Sequence, residues 1–152
     1  NQLLDSLKLA FEQDSRVLIE PRLLGREIEI AVLEDIGGEL LTSVAGEITV
    51  GGGGIYDYQA KYLSDTARLT VPAELTDIEL KEAQELAKSA FLALGCSGLA
   101  RVDFFYTDSG WLLSEVNTMP GFTQISMYPK LFKESGIDYP ELIAKLIERA
   151  IR

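Results

Sequence analysis

The segment of residues 101–121 constrains the fold of this chain most, because its pattern predicts a β-hairpin with one polar face. It reads R-V-D-F-F-Y-T-D-S-G-W-L-L-S-E-V-N-T-M-P-G. Side chains alternate between the two faces of a sheet, so every second residue of a strand shares a face. On the first strand one face carries Arg101, Asp103 and Phe105. On the second strand one face carries Leu113, Glu115 and Asn117. One arginine, two carboxylates and a carboxamide are therefore expected on a single face.

The turn of this hairpin sets the predicted register. A three-residue loop of residues 108–110, with its glycine in the left-handed conformation, places Asp103 opposite Glu115 and Arg101 opposite Asn117. Oxygen ligands beside a cation are what Mg²⁺ bound to a nucleotide phosphate requires. The alternative is a surface ladder of salt bridges, because charged cross-strand pairs also stabilise ordinary hairpins.

Composition limits the classes of function that the chain can have. Its 152 residues are 47% hydrophobic, which suits one folded domain with a sizeable core. The formal net charge of −10 disfavours binding to a nucleic-acid backbone, although a few local cations and a metal suffice for a nucleotide. No apolar run reaches the roughly 18 residues that span a bilayer, and no segment resembles a secretory signal.

Histidine is absent and cysteine occurs once. The absence of histidine excludes Ser-His-Asp and Cys-His catalysis and the usual zinc sites. The single cysteine, Cys96, cannot form an internal disulfide, which is consistent with a reducing cytoplasm. We interpret Cys96 as a buried apolar thiol, since no histidine could activate it. The remaining groups for chemistry are carboxylates, Lys, Arg, Tyr, backbone amides and a hard metal.

Periodicity predicts an α+β arrangement with a mostly antiparallel sheet and flanking helices. Residues 3–11 predict a helix with one buried side, and residues 17–20 a short strand. Residues 27–32 alternate with period two, and residues 40–50 continue the sheet. Residues 76–94 predict a helix that begins with a capping box and is followed by a stop at Gly95, and a last helix follows Asp138.

Two neighbouring segments resist assignment from pattern alone. Residues 51–54 are four glycines, but no Lys-Ser/Thr follows, so a flexible lead-in is favoured over a phosphate loop. Residues 56–62 read Y-D-Y-Q-A-K-Y, without helical or strand period. Such a loop can carry function on a rigid scaffold, or its tyrosines can simply pack it down.

Four segments in order resemble the D-alanine–D-alanine ligases, a family of ATP-grasp enzymes. They are E-P-R-L-L-G-R-E-I-E-I-A-V, Y-D-Y-Q-A-K-Y, G-L-A-R-V-D-F-F and E-V-N-T-M-P-G-F-T. The resemblance spans nearly the whole chain and implies that residues 1–152 are the C-terminal portion of the ATP-grasp fold. It implies ATP- and Mg²⁺- or Mn²⁺-dependent joining of two D-alanines through D-alanyl phosphate, for peptidoglycan precursors and hence cell wall and cell shape, in the cytoplasm. Phosphorylation of a carboxylate needs positioning and charge neutralisation more than a nucleophilic side chain, so histidine is not required.

The resemblance also implies a role for each matching position. For ATP, Glu20 and Leu23 match adenine contacts, Glu27 matches the acid on the ribose, and Lys61 matches a phosphate-binding lysine. For the metal, the matches are Asp103, Glu115 and Asn117. Arg101 matches the arginine on the acyl phosphate, and Gly121 the backbone donor of the oxyanion hole. For the second substrate, the matches are Tyr62, Ser126 and Met127.

Part of the family's pattern has no counterpart in this chain. The N-terminal domain, the two upstream lysines and the glycine-rich loop over the ATP phosphates are not present. We therefore expect a C-terminal half that is inactive by itself and whose partner is the N-terminal half of the same enzyme. In many members of the family the whole enzyme forms a homodimer. The alternatives are a D-alanine–D-lactate or D-alanine–D-serine ligase, or a non-catalytic nucleotide-binding or interaction module. The intact Y-D-Y-Q-A-K-Y loop favours D-alanine as the second substrate.

Overall fold

A five-stranded antiparallel sheet organises the part of the chain that the structure, a computed structural model, describes: residues 2–50 and 67–151. The strands are β1 (Arg26–Glu34), β2 (Leu40–Val50), β3 (Ala67–Thr70), β4 (Leu99–Thr107) and β5 (Gly110–Asn117). The helices are α1 (Gln2–Gln13), α2 (Asp77–Ala93), α3 (Met127–Glu134) and α4 (Tyr139–Ala150). The strand order is β3-β2-β1-β4-β5, and the α+β prediction is confirmed.

The two faces of the sheet bury separate cores. On one face α2 packs with Ala83, Ala87 and Phe91 against a core that includes Ile28, Ile30, Val32, Val102 and Phe104. On the other face α3 and α4 pack over a second core that includes Ala31, Leu33, Tyr128, Leu131, Phe132 and Leu142. Strand β1 contributes to both, because its side chains alternate as the sequence predicted. Helices α3 and α4 cover only part of this second face of the sheet.

Local sequence signals determine where two helices begin. Thr76 caps α2 through the predicted capping box, with Thr76 Oγ1 accepting from the Glu79 N–H and Glu79 Oε2 accepting from the Thr76 N–H. After the end of α2, Gly95 adopts a left-handed conformation with φ +65°. Asp138 caps α4 by accepting from the Glu141 N–H at 2.9 Å. Both predictions are confirmed.

Helix α3 and strand β3 were not predicted. Helix α3 has only eight residues and contains Pro129, which usually indicates a break. Pro129 is the third residue of the helix, however, where its missing N–H leaves no intrahelical bond unmade. Strand β3 has four residues and, among the described strands, pairs with β2.

The first 25 residues depart from two predictions. Helix α1 forms, but none of its residues is buried, and Leu3, Leu4, Leu9 and Phe11 are all more than half exposed. Residues 17–20 do not form a strand. A strand needs a neighbour for its N–H and C=O groups, and the described part of the chain gives this segment none. Leu18, Ile19 and Leu24 are exposed as well.

The predicted hairpin forms with a different turn. Thr107 pairs with Gly110, so the loop has two residues instead of three. A bulge at Ser114 then adds one residue to β5, between Leu113 opposite Phe104 and Glu115 opposite Asp103. The predicted pairs Asp103–Glu115 and Arg101–Asn117 are confirmed, because the shorter loop and the bulge cancel. Leu113, however, lies on the α2 face and not beside Glu115, since the bulge changes the alternation.

The predictions for residues 51–54 and 56–62 lie outside the described residues. None of the helices in residues 2–50 and 67–151 has the length and apolar content needed to cross a bilayer.

Candidate functional site

Three carboxylates form a row across three adjacent strands of the sheet. Glu29 of β1 lies opposite Asp103 of β4, and Asp103 lies opposite Glu115 of β5. We call Glu29, Asp103 and Glu115 the carboxylate row. Arg101, two residues from Asp103, shares this face, and Asn117 lies opposite it. The row is on the face that α2 does not cover. Cross-strand register therefore brings together four of the predicted site residues, Arg101, Asp103, Glu115 and Asn117.

The guanidinium of Arg101 contacts all three carboxylates. Its Nε donates to Asp103 Oδ1 at 2.7 Å and its Nη2 to Asp103 Oδ2 at 2.6 Å, a bidentate arrangement. The same Nε lies 3.2 Å from Glu29 Oε1, and Nη2 lies 3.7 Å from Glu115 Oε1. The side chains of Arg101 and Glu29 are 8% and 4% exposed, whereas that of Glu115 is 54% exposed. The row thus runs from a buried end to an open end.

Arg101 remains charged in this environment. Burial by itself lowers the pKa of its guanidinium, but the hydrogen bonds to Asp103 and the charges of Glu29, Asp103 and Glu115 outweigh that effect and raise the pKa above its ordinary value. Three carboxylates around one guanidinium leave an excess of negative charge on this face. That excess is suited to a further cation.

The donor set fits Mg²⁺ or Mn²⁺ by its chemistry, although its atoms are not arranged around a metal. Among the described residues, no group of three or more His, Cys, Asp or Glu side chains is placed to hold a metal ion. Both Asp103 oxygens accept from Arg101, and Asn117 Oδ1 accepts from the Met119 N–H at 3.1 Å. The available ligands are nevertheless all hard oxygens, as these ions prefer. Binding would require Asp103 to share its oxygens between Arg101 and the metal.

A loop of residues 118–126 connects β5 to α3 and carries Gly121. Phe122 anchors it: its carbonyl accepts from Tyr139 Oη at 2.8 Å, and its ring packs against Tyr128 and Tyr139. Gly121 itself is exposed, and a Cβ added there would lie 3.1 Å from Ser126 Oγ. The backbone of Gly121 is thus open to solvent, on a loop that the contacts of Phe122 hold in place.

Ser126 and Met127 mark the beginning of α3. Ser126 is the N-cap residue, and its Oγ accepts from the Thr123 N–H at 3.0 Å instead of capping its own helix. The Met127 side chain is buried in the second core. Of Met127, only the backbone N–H at the helix N-terminus could contact a ligand there. A helix N-terminus favours an anionic group.

The residues matched to ATP binding are spread over a longer stretch. Glu27 shares the face of Glu29 on β1, where it pairs with Phe105 of β4. Leu23 is half-buried and Glu20 is exposed, both in the irregular segment before β1. Lys61 and Tyr62 lie outside the described residues. The structure therefore groups Glu27 with the carboxylate row on one face of the sheet and leaves Glu20 in the preceding segment.

Sequence reasoning missed Glu29 as a site residue. The period-two pattern already placed it on the same face as Glu27. What the pattern lacked was the register of β1 against β4, which puts Glu29 opposite Asp103. The available signal was the alternation of Glu27 and Glu29 with isoleucines, which does not show that Glu29 is buried.

Comparison with known proteins identifies the family of this chain. Residues 1–148 match the protein family described as "D-ala D-ala ligase C-terminus". The chain belongs to that family. A D-alanine–D-alanine ligase of Mycolicibacterium smegmatis is 48% identical over 99% of the chain. Among solved structures, the VanG D-Ala:D-Ser ligase from Enterococcus faecalis is 40% identical with a TM-score of 0.84 over 98% of the chain.

A third relative is a solved structure in complex with ATP. The structure of the ligase from Bacillus anthracis complexed with ATP is 28% identical, with a TM-score of 0.80 over 99% of the chain. The chain covers 42% of the Mycolicibacterium enzyme, 43% of the Enterococcus chain and 46% of the Bacillus chain. It thus spans less than half the length of these members of its family. The predicted fold, the C-terminal portion of the ATP-grasp ligases, is confirmed.

Proposed function

We propose that the protein containing this chain is an ATP- and Mg²⁺-dependent ligase that joins two D-alanines through D-alanyl phosphate, for peptidoglycan precursors. The observation that supports it most is the placement of Arg101 with Asp103, Glu115 and Asn117 on the face of the sheet that α2 does not cover. That face combines a permanent cation with oxygen ligands. This is the combination that phosphoryl transfer to a carboxylate requires, because the reaction depends on positioning and charge neutralisation.

Asp103, Glu115 and Asn117 would hold the metal, either Mg²⁺ or Mn²⁺. When bound there, the metal supplies charge neutralisation to the transferring phosphate. Arg101 is assigned to the acyl phosphate: its guanidinium is fixed by Asp103 and Glu29 before any ligand arrives, so no side-chain entropy is lost at that moment. A preorganised cation stabilises developing negative charge more strongly than a mobile one.

The loop and helix beyond β5 would serve the second substrate. The N–H of Gly121 is assigned to the oxyanion of the tetrahedral intermediate, where a glycine permits close approach. Ser126 and the backbone N–H of Met127 are assigned to the carboxylate of the second D-alanine. The N-terminus of α3 supports this assignment, since its dipole favours an anion.

The nucleotide would lie along β1 and the segment before it. We assign Glu20 and Leu23 to the adenine, Glu27 to the ribose hydroxyls and Lys61 to a phosphate. In this proposal residues 1–152 are the C-terminal portion of the ATP-grasp unit, and the N-terminal half of the same enzyme completes it. We place the enzyme in the cytoplasm, where ATP is available.

The decisive experiment is an assay of the full-length protein. With ATP, Mg²⁺ and D-alanine it should release phosphate and form D-alanyl-D-alanine in equal amounts. Arg101→Lys keeps the charge but loses the bidentate fork, and we expect it to lower kcat by roughly 100-fold with little change in KM for ATP. Absence of dipeptide from a well-folded, ATP-binding protein would reject the proposal. The 152-residue chain alone should be inactive, because it lacks the rest of the site.

A related specificity is the second candidate, because a D-Ala:D-Ser ligase is 40% identical to the chain. Comparing D-alanine, D-lactate and D-serine as acceptors in the full-length protein distinguishes the three. We expect D-alanine to be preferred. Tyr62→Phe should shift the ratio of acceptors by about 1–3 kcal/mol, and unchanged ratios would remove Tyr62 from a role in specificity.

A non-catalytic module is the remaining alternative. Calorimetric titration of the full-length protein with ATP, with and without Mg²⁺, tests it. A ligase should bind ATP more tightly with the metal present, whereas a module that serves only protein contacts has no reason to bind nucleotide.

A further inference from the structure

We infer that Glu29 is a positioning residue that holds Arg101 in place while Asp103 is engaged by the metal. The inference rests on the proposed function and adds a residue to which that proposal gives no contact with substrate, nucleotide or metal. The two roles of Asp103 in the site conflict. Asp103 is assigned to the metal, yet in the structure both of its oxygens accept hydrogen bonds from Arg101.

A carboxylate that donates electron density to a divalent cation binds a guanidinium less strongly. Arg101 would then lose part of its strongest contact at the moment when its position matters. Glu115 cannot replace that contact, because it is 3.7 Å from Nη2, mostly exposed and itself assigned to the metal. The row contains one further carboxylate, that of Glu29.

Glu29 is suited to this role by its location. Its Oε1 lies 3.2 Å from Arg101 Nε, on the opposite side of Asp103 from Glu115. It belongs to the central strand β1, which pairs with a strand on either side. Its side chain is nearly fully buried, so water competes little for the ion pair.

The energetics of buried ion pairs favour positioning over stability. Burying a carboxylate and a guanidinium costs about as much as their attraction returns, and apolar replacements of such pairs are often neutral or stabilising. Neighbouring inward positions of β1, such as Ala31 and Leu33, show that this face accepts apolar side chains. A buried pair at Glu29 and Arg101 is therefore explained better by the direction it gives to the guanidinium than by the stability it adds.

The test uses full-length protein with Glu29→Gln, which removes the charge at almost constant volume. The matched control is Glu47→Gln. Glu47 of β2 also pairs with a strand arginine, accepting from Arg26 Nε at 2.9 Å and Nη2 at 2.6 Å, but on the α2 side of the sheet. Each variant removes one carboxylate from an arginine–glutamate pair, and of the two glutamates only Glu29 belongs to the carboxylate row.

The first readout is independent of activity. In ¹⁵N-labelled protein, solvent exchange of the arginine Nε–H groups reports how firmly each guanidinium is held. Glu29→Gln should speed exchange at Arg101 about twofold without ligand and about tenfold with Mg²⁺ and ADP, when Asp103 is shared. Glu47→Gln should speed exchange at Arg26 and leave Arg101 unchanged.

The second readout is kinetic. Glu29→Gln should lower kcat about tenfold or more while KM for ATP stays within about twofold, because the loss falls on the transition state. Glu29→Asp, which restores the charge at a longer distance, should recover part of kcat. Glu47→Gln should stay within about twofold of the parent enzyme in both constants.

Other outcomes overturn the inference. If Glu29→Gln and Glu47→Gln lower kcat equally, or if exchange at Arg101 does not respond to Mg²⁺ and ADP in Glu29→Gln, then Glu29 has only a structural role. These results are separable from a failure of the proposed function, which would appear as an unmodified full-length protein that forms no dipeptide.

Discussion

Gly46 is the position where a single added methyl group tests the link between packing and the site. It lies on β2 opposite Glu29, beneath α3. A Cβ built there would be 2.9 Å from Leu131 Cδ2 and 3.0 Å from Met127 Sδ. Non-bonded carbon atoms favour about 3.5–4.0 Å, so in Gly46→Ala helix α3 must move away by roughly 0.5–1 Å or Leu131 must leave its rotamer. Leu131 is fully buried, which leaves little room for the second response.

The expected change in the free energy of unfolding follows from two opposing effects. Overpacking a core costs about 1–3 kcal/mol. Replacing glycine with alanine returns about 0.4–1 kcal/mol, because the unfolded chain loses conformational freedom. The free energy of unfolding should therefore fall by about 1–2 kcal/mol, which corresponds to a decrease in Tm of about 2–8 °C for a chain of this size.

Function should respond selectively, because α3 begins at the residues assigned to the second substrate. In the full-length enzyme Gly46→Ala should raise KM for the second D-alanine about three- to tenfold and leave KM for ATP within about twofold. The control is Gly37→Ala in the exposed β1–β2 turn, where the nearest atom to an added Cβ is Asp35 Oδ1 at 3.2 Å. A Gly46→Ala enzyme with unchanged Tm and unchanged KM for D-alanine would refute the argument that α3 is held by this contact.

Four further predictions follow from the same structure. Glu115→Gln in the full-length enzyme should lower kcat and be partly rescued by high Mg²⁺, whereas a defect independent of metal would remove Glu115 from the ligand set. Glu34 accepts hydrogen bonds from Arg149 and from the Gly98 N–H, which lower its pKa from 4.5 to about 2, so its contribution to stability should be present above pH 4.5 and be lost as the pH falls towards 2. Melts of Glu34→Gln should show less loss over that range than melts of the parent chain. Deleting the bulged Ser114 should keep Glu115 on the open face, so a loss of kcat greater than about tenfold at unchanged Tm would show that the bulge itself shapes the site. Finally, the 152-residue chain should unfold cooperatively when heated, and a broad melt with strong dye binding would indicate a molten state.

The elements that could be predicted from the sequence are those with short-range signals. The capping box at Thr76, the cap at Asp138 and the alternation in β1 each depend on residues within a few positions of one another. Such signals act in the isolated segment, before any tertiary contact exists. The predicted bounds of α2 and β2 therefore agree closely with the structure.

The elements that were missed or misread depend on contacts from elsewhere in the chain. Helix α3 is too short to be stable alone, and it forms where Tyr128, Leu131 and Phe132 are buried against the sheet. Residues 17–20 have the composition of a strand but no partner strand in the described part of the chain. Helix α1 has the predicted apolar stripe, and that stripe stays exposed because the described part of the chain does not cover it. Periodicity identifies a surface that can be buried, but it does not supply the surface that buries it.

The pairs Asp103–Glu115 and Arg101–Asn117 form as predicted although the turn differs from the predicted one. A one-residue slip in β5 would carry Glu115 to the α2 face, so the register must be determined by something stronger than the loop. On the α2 face the pairs Val102–Val116 and Tyr106–Trp111 pack in or against the first core, and the Tyr106 and Trp111 rings stack at 4.1 Å. Burial of these apolar pairs selects the register, and the bulge adjusts the length of β5 to fit it. Asp103 and Glu115 then meet on the opposite face as a consequence, which is why any turn that allows the apolar pairs to form also assembles the polar site.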